Sequence, residues 1–190
     1  MNELTKEEKK ILLTLARDAL VAAVNGEKIP HLDINQLTDH LRETGTSFVT
    51  LTYKGELRGC IGALEPNLSL AEDVREHAIA AATQDYRFFP VLPEELNDIR
   101  IEISHLTLPV ELDYRDADDL IKRIRPGIDG VIIRDGAHRA TFLPQVWEKL
   151  PDPAMFLTHL CQKMGAPGDL WRWRKIKVLI YQVEEFHEQR

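Results

Sequence analysis

Leu57-Arg58-Gly59-Cys60-Ile61-Gly62 is the stretch of this chain with the most chemistry in it. A nucleophile, a permanent cation and two glycines sit inside an apolar, strand-like run. On a strand, Arg58 and Cys60 share one face, and Leu57, Gly59 and Ile61 share the other. A guanidinium beside a thiol favours the thiolate, which is the reactive form. Glycine weakens a strand, so Gly59 and Gly62 imply a bulge, a bend, or the close approach of a ligand or another backbone. The same six residues also suit a packing role, with Cys60 as a small core residue and the glycines marking tight contact.

Other candidates lie downstream. Asp85 and Arg87, in the aromatic loop Asp85-Tyr86-Arg87-Phe88-Phe89-Pro90, could hold a ligand's polar groups or pair with each other to fix the loop. Glu102 falls in mid-strand, where β-propensity disfavours it, so it faces either solvent or a polar site. It is a candidate general acid or base. His105 has the parity of Ile101 and Ile103 and points to the apolar face. His77 reads as a helix-flank histidine, and His31 and His40 as surface residues. Cys161 shares a helix face with Phe156, Leu157, Leu160 and Met164, which makes it core. No disulfide to Cys60 is expected, since bridging requires Cα atoms within about 7 Å. No CxxC or Cys/His spacing suggests a metal site, and nothing specifies a cofactor.

The elements that must position these residues are legible in outline. Thr5-Lys6-Glu7-Glu8 and Ser69-Leu70-Ala71-Glu72 are capping boxes that open helices over 6–25 and about 70–84. Ser47–Tyr53 and Leu57–Gly62 read as a β-hairpin about Lys54-Gly55-Glu56. Setting Tyr53 opposite Leu57 segregates an apolar face of Val49, Leu51, Tyr53, Leu57 and Ile61 from a polar face of Thr50, Thr52, Arg58 and Cys60. A two-residue loop mixes the faces, and the segregated register is preferred because it buries more apolar surface. Ile99–Leu106 is a strand, Asp116–Arg125 a helix, and Asp135-Gly136 the turn of a second hairpin. Helices follow at 144–150 and 153–164, then a loop over 166–174. Lys177–Phe186 reads as one final strand, interior to a sheet through its apolar residues 178–181.

A faint duplication emerges. Hairpin 47–62, helix 69–84 and strand 99–106 are echoed by hairpin 130–143, helices 144–164 and strand 177–186. Aligning Gly55 with Gly136 sets Arg58 on Arg139 and Cys60 on Thr141. The expected fold is α+β: a single domain over 1–190 with two β/α repeats. Its antiparallel-rich central sheet is flanked by helices in three layers, α/β/α.

Bulk properties bound the function. The chain has 190 residues, 44% hydrophobic and 29% charged, which is ordinary for a soluble globular protein. A net charge of −7 argues against a nucleic-acid-binding surface, which needs clustered Lys and Arg. Residues 1–6 do not resemble a signal peptide, and no run of about 18 apolar residues could span a bilayer. Two widely spaced cysteines suit a reducing, cytoplasmic setting.

These motifs together resemble the AMMECR1 family. Leu57-Arg58-Gly59-Cys60-Ile61-Gly62 is similar to its signature hexapeptide, and Asp85–Pro90 to its Asp-Pro-Arg-Phe-x-Pro, with Tyr86 standing where the family usually has Pro. Glu95-Leu96, Ile101-Glu102-Ile103-Ser104, Leu143-Pro144-Gln145-Val146 before Trp147, and Phe156-Leu157 with Leu160-Cys161 also match, in family order. The resemblance implies an α+β fold of two β/α repeats. It also implies a pathway shared with Memo-type and radical-SAM proteins, without implying an established reaction.

Two functional readings stand. In the first, the chain is an enzyme or enzyme component acting on a small molecule or protein group through a Cys/Arg cleft. Cys60 is its nucleophile or redox thiol, Arg58 lowers the thiol's pKa or binds an anion, and Glu102, Asp85 or His105 moves protons. Asp85 and Arg87 then sit at the rim. In the second, the chain is a non-enzymatic adaptor, with Gly59 and Gly62 letting a peptide or cofactor approach the backbone. A packing role would need neither the arginine nor the thiol.

Overall fold

The structure is a computed structural model that describes residues 3–189. In chain order the elements are α1 (Lys6–Asn25), α2 (Asp39–Arg42), β1 (Thr44–Tyr53), β2 (Glu56–Gly62), β3 (Leu68–Ser69), α3 (Leu70–Thr83), β4 (Ile99–Leu106), β5 (Val110–Glu111), α4 (Ala117–Arg123), β6 (Gly130–Asp135), β7 (His138–Phe142), α5 (Pro153–Lys163), α6 (Leu170–Trp173), β8 (Lys177–Tyr181) and β9 (Val183–His187). Short 3-10 turns occupy Ile34–Gln36, Pro93–Glu95 and Pro144–Glu148. The class is α+β, with antiparallel strands and flanking helices. The strands are shared between two sheets, one in each of two compact units: Met1–Leu106 with Glu184–Arg190, and Thr107–Val183.

In the first unit the strand order is β2-β1-β4-β9, with β3 paired to the start of β1. Both predicted capping boxes form. Thr5 and Glu8 exchange hydrogen bonds at the start of α1, and Ser69 and Glu72 do so at the start of α3. α1 buries Leu12, Ala16, Ala19 and Leu20, a stripe of helical period. α3 buries Ala71, Val74, Ala78, Ala81 and Ala82, mostly small residues that let it lie close on the sheet. Val49, Leu51, Ile99, Ile101 and Ile103 complete this core.

The hairpin resolves its register in an unforeseen way. Lys54 and Gly55 both have positive φ, 52° and 89°, so the loop is a two-residue turn. Tyr53 therefore pairs with Glu56 rather than Leu57. Further along, Leu51 faces Gly59, Thr50 faces Cys60 and Val49 faces Ile61, as the segregated register requires. Arg58 is the extra residue between these two halves, a β-bulge. The bulge lets the chain combine the tight turn with the apolar face of Val49, Leu51, Tyr53 and Ile61. Leu57, expected on that face, instead pairs with Thr52 and is 45% exposed, and Arg58 leaves the regular alternation that would have set it beside Cys60.

The second unit repeats the layout. Its order, β7-β6-β8-β5, matches β2-β1-β4-β9: a hairpin with its return strand at one edge, then a neighbour, then an edge strand. Its hairpin has no bulge, with Arg134 facing Arg139 and Ile132 facing Thr141. Cys60 and Thr141 thus remain equivalent, whereas Arg58 has no counterpart and Arg139 corresponds to Leu57. Trp147 stacks on Phe156 with ring centroids 3.7 Å apart, and Cys161 is buried with them. Residues 177–187 form two strands that part at Gln182. β8 is interior to the second sheet, as its apolar run implies, and β9 is the edge of the first. The segment 166–174 is not all loop, because Leu170–Trp173 forms one helical turn.

Candidate functional site

The two motifs of the first unit are bonded into one structure. β2 is an edge strand, and edge strands carry main-chain groups that must be paired or covered. The Asp85–Pro90 loop, delivered by the end of α3, covers β2 at Cys60. The Cys60 amide donates to Asp85 Oδ2 at 2.8 Å, and Arg87 Nη2 donates to the Cys60 carbonyl at 3.1 Å. Arg87 also closes on Asp85 through Nε at 2.9 Å and Nη2 at 2.6 Å. Asp85 is 5% exposed. Arg87 beside it, with the amides of Cys60 and Arg87, holds its carboxyl well below the usual range.

Arg58 secures the next part of the same loop. Its Nη1 donates to the Phe89 carbonyl at 2.8 Å and Nη2 to the Pro90 carbonyl at 3.2 Å. Nε and Nη2 form a bidentate pair with Glu95 at 2.8 and 2.9 Å. Glu95 in turn accepts from the Leu92 amide, and Arg58 lowers its pKa. The guanidinium goes to the 89–95 segment, not to the thiol.

Gly59 and Gly62 do admit close approaches, and the groups that approach belong to this chain. A Cβ on Gly59 would lie 2.2 Å from the Ala81 carbonyl of α3. On Gly62 it would meet the Phe48 ring at 2.3 Å and the Ser47 carbonyl at 2.5 Å. Packing therefore accounts for both glycines.

Cys60 and Glu102 fall on one sheet face, opposite the core, with Thr50 in register between them on β1. The Thr50 hydroxyl donates to Cys60 Sγ at 3.3 Å. Glu102 is half-buried, and its carboxylate accepts no hydrogen bond among the described residues. Two strand spacings put Cys60 and Glu102 about 10 Å apart in the backbone. Proton exchange between them would have to pass through a bound molecule. Among the described residues, no group of His, Cys, Asp and Glu is placed to hold a metal ion.

Both cysteines are free; Cys60 is half-buried and Cys161 fully buried. Burial raises the Cys161 pKa. A thiol reagent is expected to modify the native protein in two phases, the fast one at Cys60. Cys60→Ser should remove the fast phase; its survival in that variant would assign it to Cys161.

Sequence reasoning missed a buried polar cluster on the core side of the sheet. Ser47 donates to Asp73 Oδ2 at 2.6 Å, and His77 Nδ1 lies 3.1 Å from the same oxygen. The i, i+4 spacing of Asp73 and His77 was its only signal. His105, opposite Ser47, is 6% exposed with an unpartnered Nδ1. Nearer α1, Glu8 accepts from Thr38 Oγ1 at 2.6 Å, and His40 lies 3.7 Å from it.

These groups predict the acid limb of stability. Burial lowers the His105 pKa from 6.5, so the unfolded chain takes up that proton first and stability falls as pH drops below about 6.5. The Thr38 bond, aided by Thr5, lowers Glu8 from 4.5 to about 2, so its contribution is present above 4.5 and is lost as pH falls toward 2. Melting temperature should be flat between about pH 7 and 8, fall below 6.5, and fall again below 4.5. His105→Asn should abolish only the first decline; an unchanged profile would assign that step to another group.

An α+β protein of two like units, with a signature loop clamped on an edge strand, is the class defined by this fold and site. The chain belongs to the AMMECR1 family, whose model matches residues 13–186. It is 41% identical to a protein of Methanothermobacter thermautotrophicus over 97% of this chain and 96% of that one. It is 39% identical to a protein of Thermofilum pendens over 99% and 93%. The crystal structure of the uncharacterized protein PH0010 from Pyrococcus horikoshii is similar with a TM-score of 0.86 at 32% identity, covering 98% of this chain and 94% of that one. Among the described residues no helix is long and apolar enough to cross a membrane.

Proposed function

We propose that this chain is a cytoplasmic protein-interaction module whose contact surface is the loop clamped on β2, and whose partner is a Memo-type or radical-SAM protein. One observation carries the reading: Tyr86 and Phe89 are 94% and 91% exposed on a backbone held by Arg58, Asp85 and Arg87. Large aromatic side chains are the commonest binding anchors. Held on a rigid loop, they lose little conformational freedom on docking. Leu57 and Leu92, beside the Arg58–Glu95 pair, are also exposed and extend the apolar surface.

The test is a titration of the purified chain with a purified Memo-type protein and, separately, a radical-SAM protein. Binding to one of them, weakened at least tenfold by Phe89→Ala and by Tyr86→Ala and unchanged by Cys60→Ser, is the expected result. Binding indifferent to both loop substitutions, or to neither protein, would overturn the proposal.

The alignment of Cys60, Thr50 and Glu102 across three strands favours a second reading, an enzyme acting through the thiol. There Thr50 orients the thiol and Glu102 moves a proton by way of the substrate. Loss of turnover in both Cys60→Ser and Glu102→Gln, with partner binding intact, would select it.

A further inference from the structure

A groove of about 980 Å³ runs along one face of α1. Lys6, Lys10, Leu13, Arg17 and Val21, three or four residues apart, form its helical wall. Leu96 and Arg100, around the start of β4, and Phe186 on β9 face them. None of the Tyr86–Leu92 surface lines it. We propose that this groove binds an acidic segment of a partner protein in extended conformation, with acidic and apolar side chains alternating.

Charge is the first reason. The chain carries a net −7, yet the groove's lining holds Lys6, Lys9, Lys10, Arg17 and Arg100 against the single carboxylate of Glu188. Lys9 is paired with Glu184, and Arg17 with Glu188. Lys6 and Lys10 have no side-chain partner among the described residues, and Arg100 reaches only the Ile99 carbonyl, at 3.5 Å. An anion arriving here displaces no existing ion pair at these three cations.

Shape is the second reason. From Lys6 to Val21 the wall is about 22 Å long at about 1.5 Å per helical residue. About seven residues of extended strand span that length. A compact polyanion would want cations gathered at one point, whereas the unpaired ones are divided between the start of α1, at Lys6 and Lys10, and β4, at Arg100. The apolar floor of Leu13, Val21, Leu96 and Phe186 supplies what phosphate or sulfate alone could not use. Alternation follows from the pleat, which sends successive side chains to opposite sides.

The test is fluorescence anisotropy of the full chain with a labelled heptapeptide of alternating Glu and Leu. Binding is expected, weakened at least tenfold by the double substitution Lys10→Glu with Arg100→Glu. Lys54→Glu, an exposed cation outside the groove, should leave it unchanged. Melting temperature checks that each variant folds, and amide shifts in the unaltered protein should cluster at residues 6–21 and 96–100. The proposal fails if a peptide of alternating Glu and Ser binds as tightly, which would make the attraction charge alone. It also fails if a nucleoside triphosphate displaces the peptide at equal concentration, or if the shifts fall elsewhere.

Discussion

Gly59→Ala is expected to destabilise the protein by about 3 kcal/mol or more, near the upper end for one added methyl group. The new Cβ would stand 2.2 Å from the Ala81 carbonyl oxygen and 3.1 Å from its carbon. Both are backbone atoms, so no rotamer change relieves the clash. α3 would have to lift off the sheet, and its buried alanines hold it there because they offer no length to spare. For a chain of this size the loss corresponds to a fall in melting temperature of roughly 10 °C. Gly55→Ala is the comparison. Its φ of 89° makes alanine strained, but nothing lies within 4 Å, so the cost is about 1–2 kcal/mol of local strain. Thermal melts of the two variants decide the matter. A Gly59→Ala protein that melts like the parent and yet loses a ligand would return this glycine to the groove-wall role.

Much of this arrangement could be read from residue types. Thr5 with Glu8, and Ser69 with Glu72, announce their helices because a capping box is local and its partners are three residues apart. Parity placed His105 among Ile101 and Ile103, where it is buried. The repeat was visible as a succession of hairpin, helix and strand, and both sheets keep that succession. The bulge at Arg58 was not visible. Each side of the hairpin obeys its own pattern, and only pairing reveals that the two patterns are offset by one residue. The break at Gln182 hid for the same reason, since β8 and β9 each look like a strand and nothing local assigns them to different sheets. The clamp on Cys60 was hidden more deeply. Asp85 and Arg87 bind its amide and carbonyl, groups that every residue but proline carries, so the partner's identity leaves no trace.

Arg58→Ala is expected to cost about 3 kcal/mol and to loosen the 85–95 segment, even though Arg58 takes no part in the alternation of β2. Arg58 and Glu95 are 15% and 17% exposed in their side chains, so truncation strands a largely buried carboxylate. The Phe89 and Pro90 carbonyls lose their donors as well. Arg58→Lys should recover only part of the loss, because an ammonium cannot form the bidentate pair with Glu95 while reaching both carbonyls. Hydrogen exchange reads the loosening directly. The amides of Val91, bonded to the Ala82 carbonyl, and Cys60, bonded to Asp85, should exchange faster, while those of β4 keep pace with global stability. Partner binding through Tyr86 and Phe89 should weaken in step, because the aromatics lose their fixed backbone. A double-mutant cycle with Glu95→Gln should show strong coupling, since both substitutions open one clamp. The catalytic role predicts a different pattern. If Arg58 serves the thiol, Arg58→Ala shifts the pH dependence of Cys60 modification while melting temperature and exchange at Val91 stay where they were. In the clamp, the guanidinium's bonds to Phe89, Pro90 and Glu95 make stability and loop exchange the quantities that move.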